Sequence, residues 1–112
     1  MSTVLCVGDL DVWEDALRTA ADGADAHFVS FLDVTEALLE GLLPDTIMSP
    51  LLSANFDATD LAMHLQALGF SGRYLAVAEG VPVPHIIERE VKMAAPLVDF
   101  DLIALPDPSK LN

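Results

Sequence analysis

The sequence predicts an α/β domain, a doubly wound, five-stranded parallel sheet with helices on both faces in three layers. Two observations carry this prediction. Short apolar, β-branched runs alternate with segments whose apolar residues recur every three or four positions, and strand and helix alternate four times before a bare final strand. Such alternation favours a parallel sheet whose functional edge lies at the carboxyl ends of the strands.

Five strands are predicted from the runs rich in valine, isoleucine, leucine and aromatic residues. They cover Thr3–Val7, 27–32, 46–52, 73–78 and 100–105. Most are continuously apolar rather than alternating, which is typical of strands that are covered on both faces. The sheet is therefore expected to lie in the middle of the domain.

Four helices are predicted between these strands. Asp11 and Asp57 each stand at a helix start, with an acid three residues later that completes a capping pattern. Pro84 suits the first position of the last helix. The helix over 35–43 is short and ends before Pro44, and we expect its four leucines to face inward: Leu38, Leu39, Leu42 and Leu43.

The length of 112 residues predicts one domain over 1–106, followed by a tail over 107–112. Two prolines, Pro106 and Pro108, exclude a stable helix at this end. The single Cys6 excludes an internal disulfide and a cysteine-based zinc cluster. The first residues lack a secretory signal, and no apolar run is long enough to cross a membrane, so we expect a cytoplasmic protein.

The chain is strongly acidic, with a formal net charge of −13. Residues 1–60 hold twelve Asp and Glu against one Arg, whereas 61–112 hold six against four Lys and Arg. This charge would repel phosphate backbones and anionic lipid, so we expect no nucleic-acid and no membrane partner. An acidic surface for a basic partner and simple solubility both fit the imbalance.

The middle of the chain resembles the receiver domain of bacterial response regulators. PDTIMSPLLSANFDATDL, residues 44–61, aligns without a gap with the family's third strand, in which Pro-Asp and an apolar run precede the phosphorylated aspartate. Ala104, Leu105 and Pro106 match the family's apolar residue, lysine and proline. The resemblance covers 3–106 and implies a flavodoxin-like fold with a phosphotransfer site at the carboxyl ends of the strands.

The phosphotransfer residues that the resemblance implies are almost all replaced. The family holds Mg²⁺ with two acids after the first strand and the acceptor aspartate, and binds the phosphoryl group with a hydroxyl and a lysine. The corresponding positions here carry Gly8, Asp9, Pro50, Ala78 and Leu105. Proline supplies neither a carboxylate nucleophile nor a metal ligand. We therefore expect a pseudo-receiver that is not an enzyme and binds no metal or cofactor.

Other catalytic interpretations find less support in the sequence. An enzyme or ligand-binding domain at the same sheet edge is the alternative, with four polar residues available to it: Asp9, Ser49, Ser53 and Asn55. They lack a general base and an oxyanion hole. The three histidines have no metal-ligand spacing, and the thiol in the middle of the first strand is expected to be buried and inert.

The bare fifth strand predicts a missing last helix. In the receiver fold that helix covers strands three to five, and exposing about 400 Å² of apolar sheet would cost roughly 10 kcal/mol. Apolar residues make up 53% of the chain without glycine, above the roughly 45–50% that includes glycine in ordinary domains. We expect a homodimer to cover this face, with Trp13, Leu102 and Leu105 as candidate contacts. A protein partner that contributes a helix, or a chain cut before its last helix, are the alternatives.

Overall fold

The protein is represented by a computed structural model that describes residues 3–8, 25–51, 56–79 and 84–105. Its strands are β1 (Thr3–Val7), β2 (Asp25–Val29), β3 (Thr46–Pro50), β4 (Arg73–Glu79) and β5 (Asp99–Leu105). Its α-helices within these ranges are α1 (Glu36–Leu42), α2 (Ala58–Ala67) and α3 (Pro84–Ala94). The helix predicted to begin at Asp11 and the tail over 107–112 lie outside the described residues.

The five strands form one parallel sheet in the order β2-β1-β3-β4-β5. The predicted fold class is therefore confirmed, as a five-stranded α/β sheet of the flavodoxin-like type. The order places β1 and β3 in the centre and makes β5 an edge strand. Because all strands run the same way, the residues that follow β1, β3, β4 and β5 meet at one end of the sheet.

Strand β2 begins and ends earlier than the sequence pattern predicts. Thr3 pairs with Asp25 and Val7 with Val29, so the five residues of β1 set the length of β2. After Ser30 the chain turns into a single 3-10 turn over Phe31–Asp33. A side-chain hydrogen bond, in which the Ser30 hydroxyl donates to the Asp33 carboxylate at 3.0 Å, accompanies this turn.

The helix starts follow local capping chemistry. The Thr35 hydroxyl accepts the Leu38 amide at 3.2 Å before α1. Before α2, Asp57 accepts the Asp60 amide at 2.8 Å, and the Asp60 carboxylate accepts the Asp57 amide at 3.2 Å. This reciprocal pair confirms the predicted cap and satisfies amides that the helix itself cannot bond.

The two faces of the sheet differ in what covers them. The helix-covered face packs against α1, α2 and α3 and carries the larger core cluster, to which the strands contribute Leu5, Val7, Ile47, Tyr74, Ala76 and Phe100. The second face, on which the alternate side chains lie, carries a smaller cluster of Val4, Cys6, Met48 and Val77. Strand alternation explains the division, because neighbouring residues point to opposite faces.

Leu43 contradicts the prediction that all four leucines of the helix predicted over 35–43 face inward. Leu38, Leu39 and Leu42 pack against the larger cluster, but Leu43 is 74% exposed. The helix ends at Leu42, and Leu43 adopts a left-handed conformation with φ 49° while its amide bonds to the Leu39 carbonyl. This reversal turns its side chain off the inward face, which sequence periodicity did not anticipate.

Candidate functional site

The carboxyl end of the sheet brings together four of the five positions that correspond to a receiver phosphotransfer site. Gly8 follows β1, Pro50 ends β3, Ala78 lies at the end of β4 and Leu105 ends β5. Pro50 is in register with Val77, and Ala78 with Ala104. Asp9, the one acid retained at these positions, lies outside the described residues.

Gly8 occupies a backbone conformation that suits glycine alone. Its φ is 138°, and its amide donates to the Val29 carbonyl at 2.9 Å, which ties the end of β1 to β2. Residues with a Cβ are disfavoured at such a positive φ. The acid that the receiver family places here would therefore strain the backbone as this chain holds it.

Pro50 fits its strand because its missing N–H has no partner to lose. The Leu51 amide donates to the Val77 carbonyl at 2.9 Å, so alternate amides of β3 face β4 and the nitrogen of Pro50 faces β1. Pairing between β1 and β3 extends only as far as Cys6 with Met48. The proline is buried at the point where the ladder has already ended, and it serves as a structural strand terminus.

Ser49, the nearest hydroxyl to this position, is fully buried and already hydrogen-bonded. Its Oγ donates to the Pro50 carbonyl at 2.9 Å and shares a second hydrogen bond with the Tyr74 hydroxyl. Because serine has a single proton, Tyr74 is the donor in that second bond. The neighbour of Ser49 is thus a phenol rather than a general base, which counts against a serine nucleophile at this end.

Tyr74 is a strongly perturbed but structural group. Burial raises the pKa of its hydroxyl well above the ordinary value, and the negative charge of Asp57 also raises it. Its ring packs edge-on against Phe100 with centroids 5.2 Å apart. Sequence reasoning missed this pair, since Ser49 and Tyr74 are 25 positions apart and meet only through the register of β3 and β4.

An aromatic cluster that the sequence did not indicate lies beside the helix-covered face. Phe31 stacks on Phe56 with centroids 5.0 Å apart, and the His64 ring lies 5.6 Å from that of Phe31. The Nε2 of His64 donates to the Val34 carbonyl at 2.6 Å. This hydrogen bond occupies the ring nitrogen and gives the histidine a packing role.

The sequence also led us to expect no metal site and an inert Cys6 thiol. Within 3–8, 25–51, 56–79 and 84–105, no group of three or more His, Cys, Asp or Glu has the geometry to hold a metal ion. Burial raises the pKa of the Cys6 thiol from 9.0 to about 11, so the unreactive thiol dominates near neutral pH.

The three candidate partner residues fall in different places. Leu102 lies on the helix-covered face, partly buried, and its amide donates to the Glu88 carboxylate of α3 at 3.1 Å. Leu105 pairs with Glu79 at the end of β5, and its side chain is outside the described part. Trp13 is also outside it, as are Ser53 and Asn55. On the second face of β4 and β5, the partly buried apolar residues are Leu75 and Ile103.

None of the helices in the described ranges is both long enough and apolar enough to cross a membrane. No protein-family model matches the chain, and no curated protein sequence matches it either. The parallel sheet is compatible with a flavodoxin-like fold. The resemblance to receiver domains rests on the sequence of residues 44–61 and 104–106 alone.

Proposed function

We propose that this chain is a phosphorylation-independent pseudo-receiver that acts as a protein–protein interaction module in bacterial signalling. The observation that carries the proposal is Pro50, a buried strand terminus at the position where the family's acceptor aspartate would stand. A proline cannot form an acyl phosphate, and the adjacent Ser49 is hydrogen-bonded on both sides. Regulation would then depend on surface contacts in the cytoplasm rather than on chemistry.

Gly8 and Ala78 support the same proposal. A site for Mg²⁺ normally supplies one or two carboxylates, and the family's hydroxyl orients the phosphoryl group. Gly8 offers no side chain and Ala78 only a methyl group at these two positions. The replacements, with Pro50 and Leu105, are spread over the ends of four strands, so changing a single residue would not create the site.

Homodimerisation through the second face is the proposed mode of contact. Leu75 and Ile103 are partly exposed there, next to the buried Val77. Polar side chains share this face, because Asp101 is in register with Leu75 and forms an ion pair with Arg73 at 3.1 Å, with 56% of the Arg73 and 45% of the Asp101 side chain exposed. The proposed contact is therefore narrower than the whole face, and a two-fold axis would place the apolar residues of one copy against those of the other.

The phosphorylation half of the proposal is tested with beryllofluoride and Mg²⁺, which together mimic an acyl phosphate. We expect no change in the amide NMR spectrum and no gain of a phosphoryl group in mass spectra after incubation with acetyl phosphate. A receiver domain with an intact site, treated in parallel, shows that the reagents are active. A stable phosphoryl adduct on this chain would overturn the proposal.

The dimer half is tested by light scattering of the purified chain over a range of concentrations. We expect a dimer that Ile103→Lys dissociates, because a charge on the second face would be buried without a partner. Ile86→Lys is the matched control, since Ile86 is 50% exposed on α3. A monomer at all concentrations, or equal effects of the two changes, would remove the dimer from the proposal.

A further inference from the structure

An open groove lies at the amino end of the sheet, opposite the phosphotransfer positions. It runs between α1 and the turn that leads from α2 into β4, and its volume is about 420 Å³. Its lining combines apolar and acidic side chains, among them Leu39, Leu43, Phe70, Glu36, Glu40 and Asp45. This surface is separate from the positions that correspond to a receiver phosphotransfer site, which lie at the other end of the sheet.

Leu43, on one wall of the groove, has an unusual conformation and exposure. It is 74% exposed, and it occupies the left-handed conformation at a helix end where glycine or asparagine is usual. A leucine here is unfavourable twice, through its backbone and through its exposed side chain. Unfavourable residues of this kind concentrate at binding sites, where a partner recovers the cost.

The opposite wall of the groove is held in place by backbone contacts. A Cβ on Gly72 would lie 2.6 Å from both the Asp45 carbonyl oxygen and the Phe70 ring, so the ring folds over a position that only glycine can fill. The Phe70 amide donates to the Leu65 carbonyl at 3.0 Å, and the Arg73 amide to the Asp45 carbonyl at 3.1 Å. The apolar wall is therefore preformed.

The charge of the groove indicates the chemistry of its partner. Glu36, Glu40 and Asp45 are exposed, and no lysine or arginine is among the residues that line it. Of the described cations, Arg73 is paired with Asp101 on the second face, while Arg89 and Lys92 lie on α3. Within the described residues, no lysine or arginine therefore lines the groove beside these carboxylates, of which Asp45 also accepts the Thr3 amide at 3.2 Å. The net charge of −13 adds a long-range attraction for cations.

We propose that this groove binds a basic, amphipathic segment of another protein. An apolar side chain of that segment packs against Leu39, Leu43 and Phe70, and its flanking lysine or arginine side chains lie near the three carboxylates. A second copy of this chain fits the acidic groove less well, because it has only five Lys and Arg against 18 Asp and Glu. The inference rests on the proposed interaction function and adds the chemistry of the partner.

The test uses the full chain and a fluorescent synthetic helical peptide with leucine at every third or fourth position and lysine elsewhere. We expect saturable one-to-one binding in fluorescence anisotropy, weakening as salt is raised. A peptide with serine in place of leucine, and one with glutamate in place of lysine, should each bind at least about tenfold more weakly.

Two matched pairs of variants separate the groove from general attraction to an acidic protein. Leu43→Ser should weaken binding about tenfold, whereas Leu97→Ser, at a leucine that is 80% exposed elsewhere, should leave it unchanged. Glu40→Lys on α1 should weaken it roughly threefold, and Glu90→Lys on α3 should not. All four residues are exposed, and thermal melts confirm that each variant is folded.

Equal losses within either pair would overturn the inference, since binding would then be non-specific. Displacement of the peptide by self-association of the chain, abolished by Leu43→Ser, would also overturn it and assign the groove to a second copy. Failure of peptide binding does not affect the beryllofluoride and light-scattering results, so it is distinguishable from failure of the proposed function.

Discussion

The two ends of the sheet have opposite characters. At the carboxyl end, Pro50 and Ser49 are buried and their polar atoms are satisfied within the chain. At the amino end, Leu43 and its acidic neighbours surround an open groove. Parallel sheets of this type usually carry their chemistry at the first end, whereas among the described residues the exposed leucine with a left-handed backbone lies at the second.

The contrast shows that the sheet end where this type of fold usually carries its functional residues need not contain them. The carboxyl end contains strand termini that are well packed, and Gly8 and Pro50 are explained by backbone geometry alone. At the amino end, Leu43 combines a left-handed backbone with a side chain that is 74% exposed, and both features are unfavourable for a leucine.

The largest expected effect is a loss of stability at alkaline pH, caused by the buried side chains of Cys6 and Tyr74 in the middle of the sheet. The pKa of Cys6 is raised to about 11 in the folded chain, and that of Tyr74 is also raised, so the native state holds both protons more tightly than the unfolded chain. Their contribution to stability is complete below pH 9 and is lost as pH rises. We expect the free energy of unfolding to fall by on the order of 2 kcal/mol between pH 9 and 11 from Cys6 alone.

Denaturant titrations across this pH range measure the loss. In Cys6→Ala, only the part due to Tyr74 should remain, and it should begin above pH 10. A stability that is level from pH 9 to 11 would show that water reaches the thiol.

The second effect tests whether Ser49 is structural. Ser49→Ala removes the acceptor of the buried Tyr74 hydroxyl and should cost roughly 2 kcal/mol, because an unsatisfied buried donor is expensive. Removing both hydroxyls, in Ser49→Ala with Tyr74→Phe, should cost less than the sum of the single changes. Urea unfolding of the three variants gives the coupling, and strictly additive losses would contradict the shared hydrogen bond.

The third prediction tests whether the carboxyl end tolerates an acid that receiver domains carry at the position of Gly8. Gly8→Asp restores the residue of the receiver family but places a side chain at φ 138°, so we expect a loss of about 1–2 kcal/mol in unfolding free energy. Gly8→Ala should cost nearly as much if backbone conformation is the cause. An unchanged stability together with tight Mg²⁺ binding would mean that the site is dormant rather than lost.

The smallest effect sharpens the contrast at the amino end. Leu43→Gly relieves the left-handed conformation and should stabilise the fold by about 0.5–1 kcal/mol. Gly41→Ala, in α1 with no heavy atom within 4 Å of the added Cβ, should stabilise it by a similar amount. Of the two changes, only Leu43→Gly should weaken binding of the basic peptide. If Leu43→Gly lowered the free energy of unfolding, Leu43 would be shown to pack favourably in the free chain.

Local patterns in the sequence were sufficient for the described elements. The capping pair at Asp57 and Asp60 depends on neighbours three positions apart, and the structure contains it. The apolar runs predicted the five strands, with shifts of one to three residues at several ends. The acidic imbalance was also visible, although both a binding surface and simple solubility fitted it until the groove was located.

Long-range register decided the rest. A continuously apolar strand such as β5 does not reveal which side chains face which way, so Leu102 was assigned to the partner surface although it packs against α3. The hydrogen bond between Ser49 and Tyr74 arises because β3 and β4 pair in one register. Leu43 turned outward because the helix ended at Leu42, and periodicity does not specify the last residue of a helix.

Residue identity and short-range pattern were enough to predict the parallel α/β sheet and to find the resemblance that aligns Pro50 with the acceptor aspartate of receiver domains. They did not show which hydroxyl is buried, which leucine is exposed or where the acidic residues form a groove. Those properties depend on contacts between distant segments, whose free energies are fixed by packing and register rather than by neighbours along the chain.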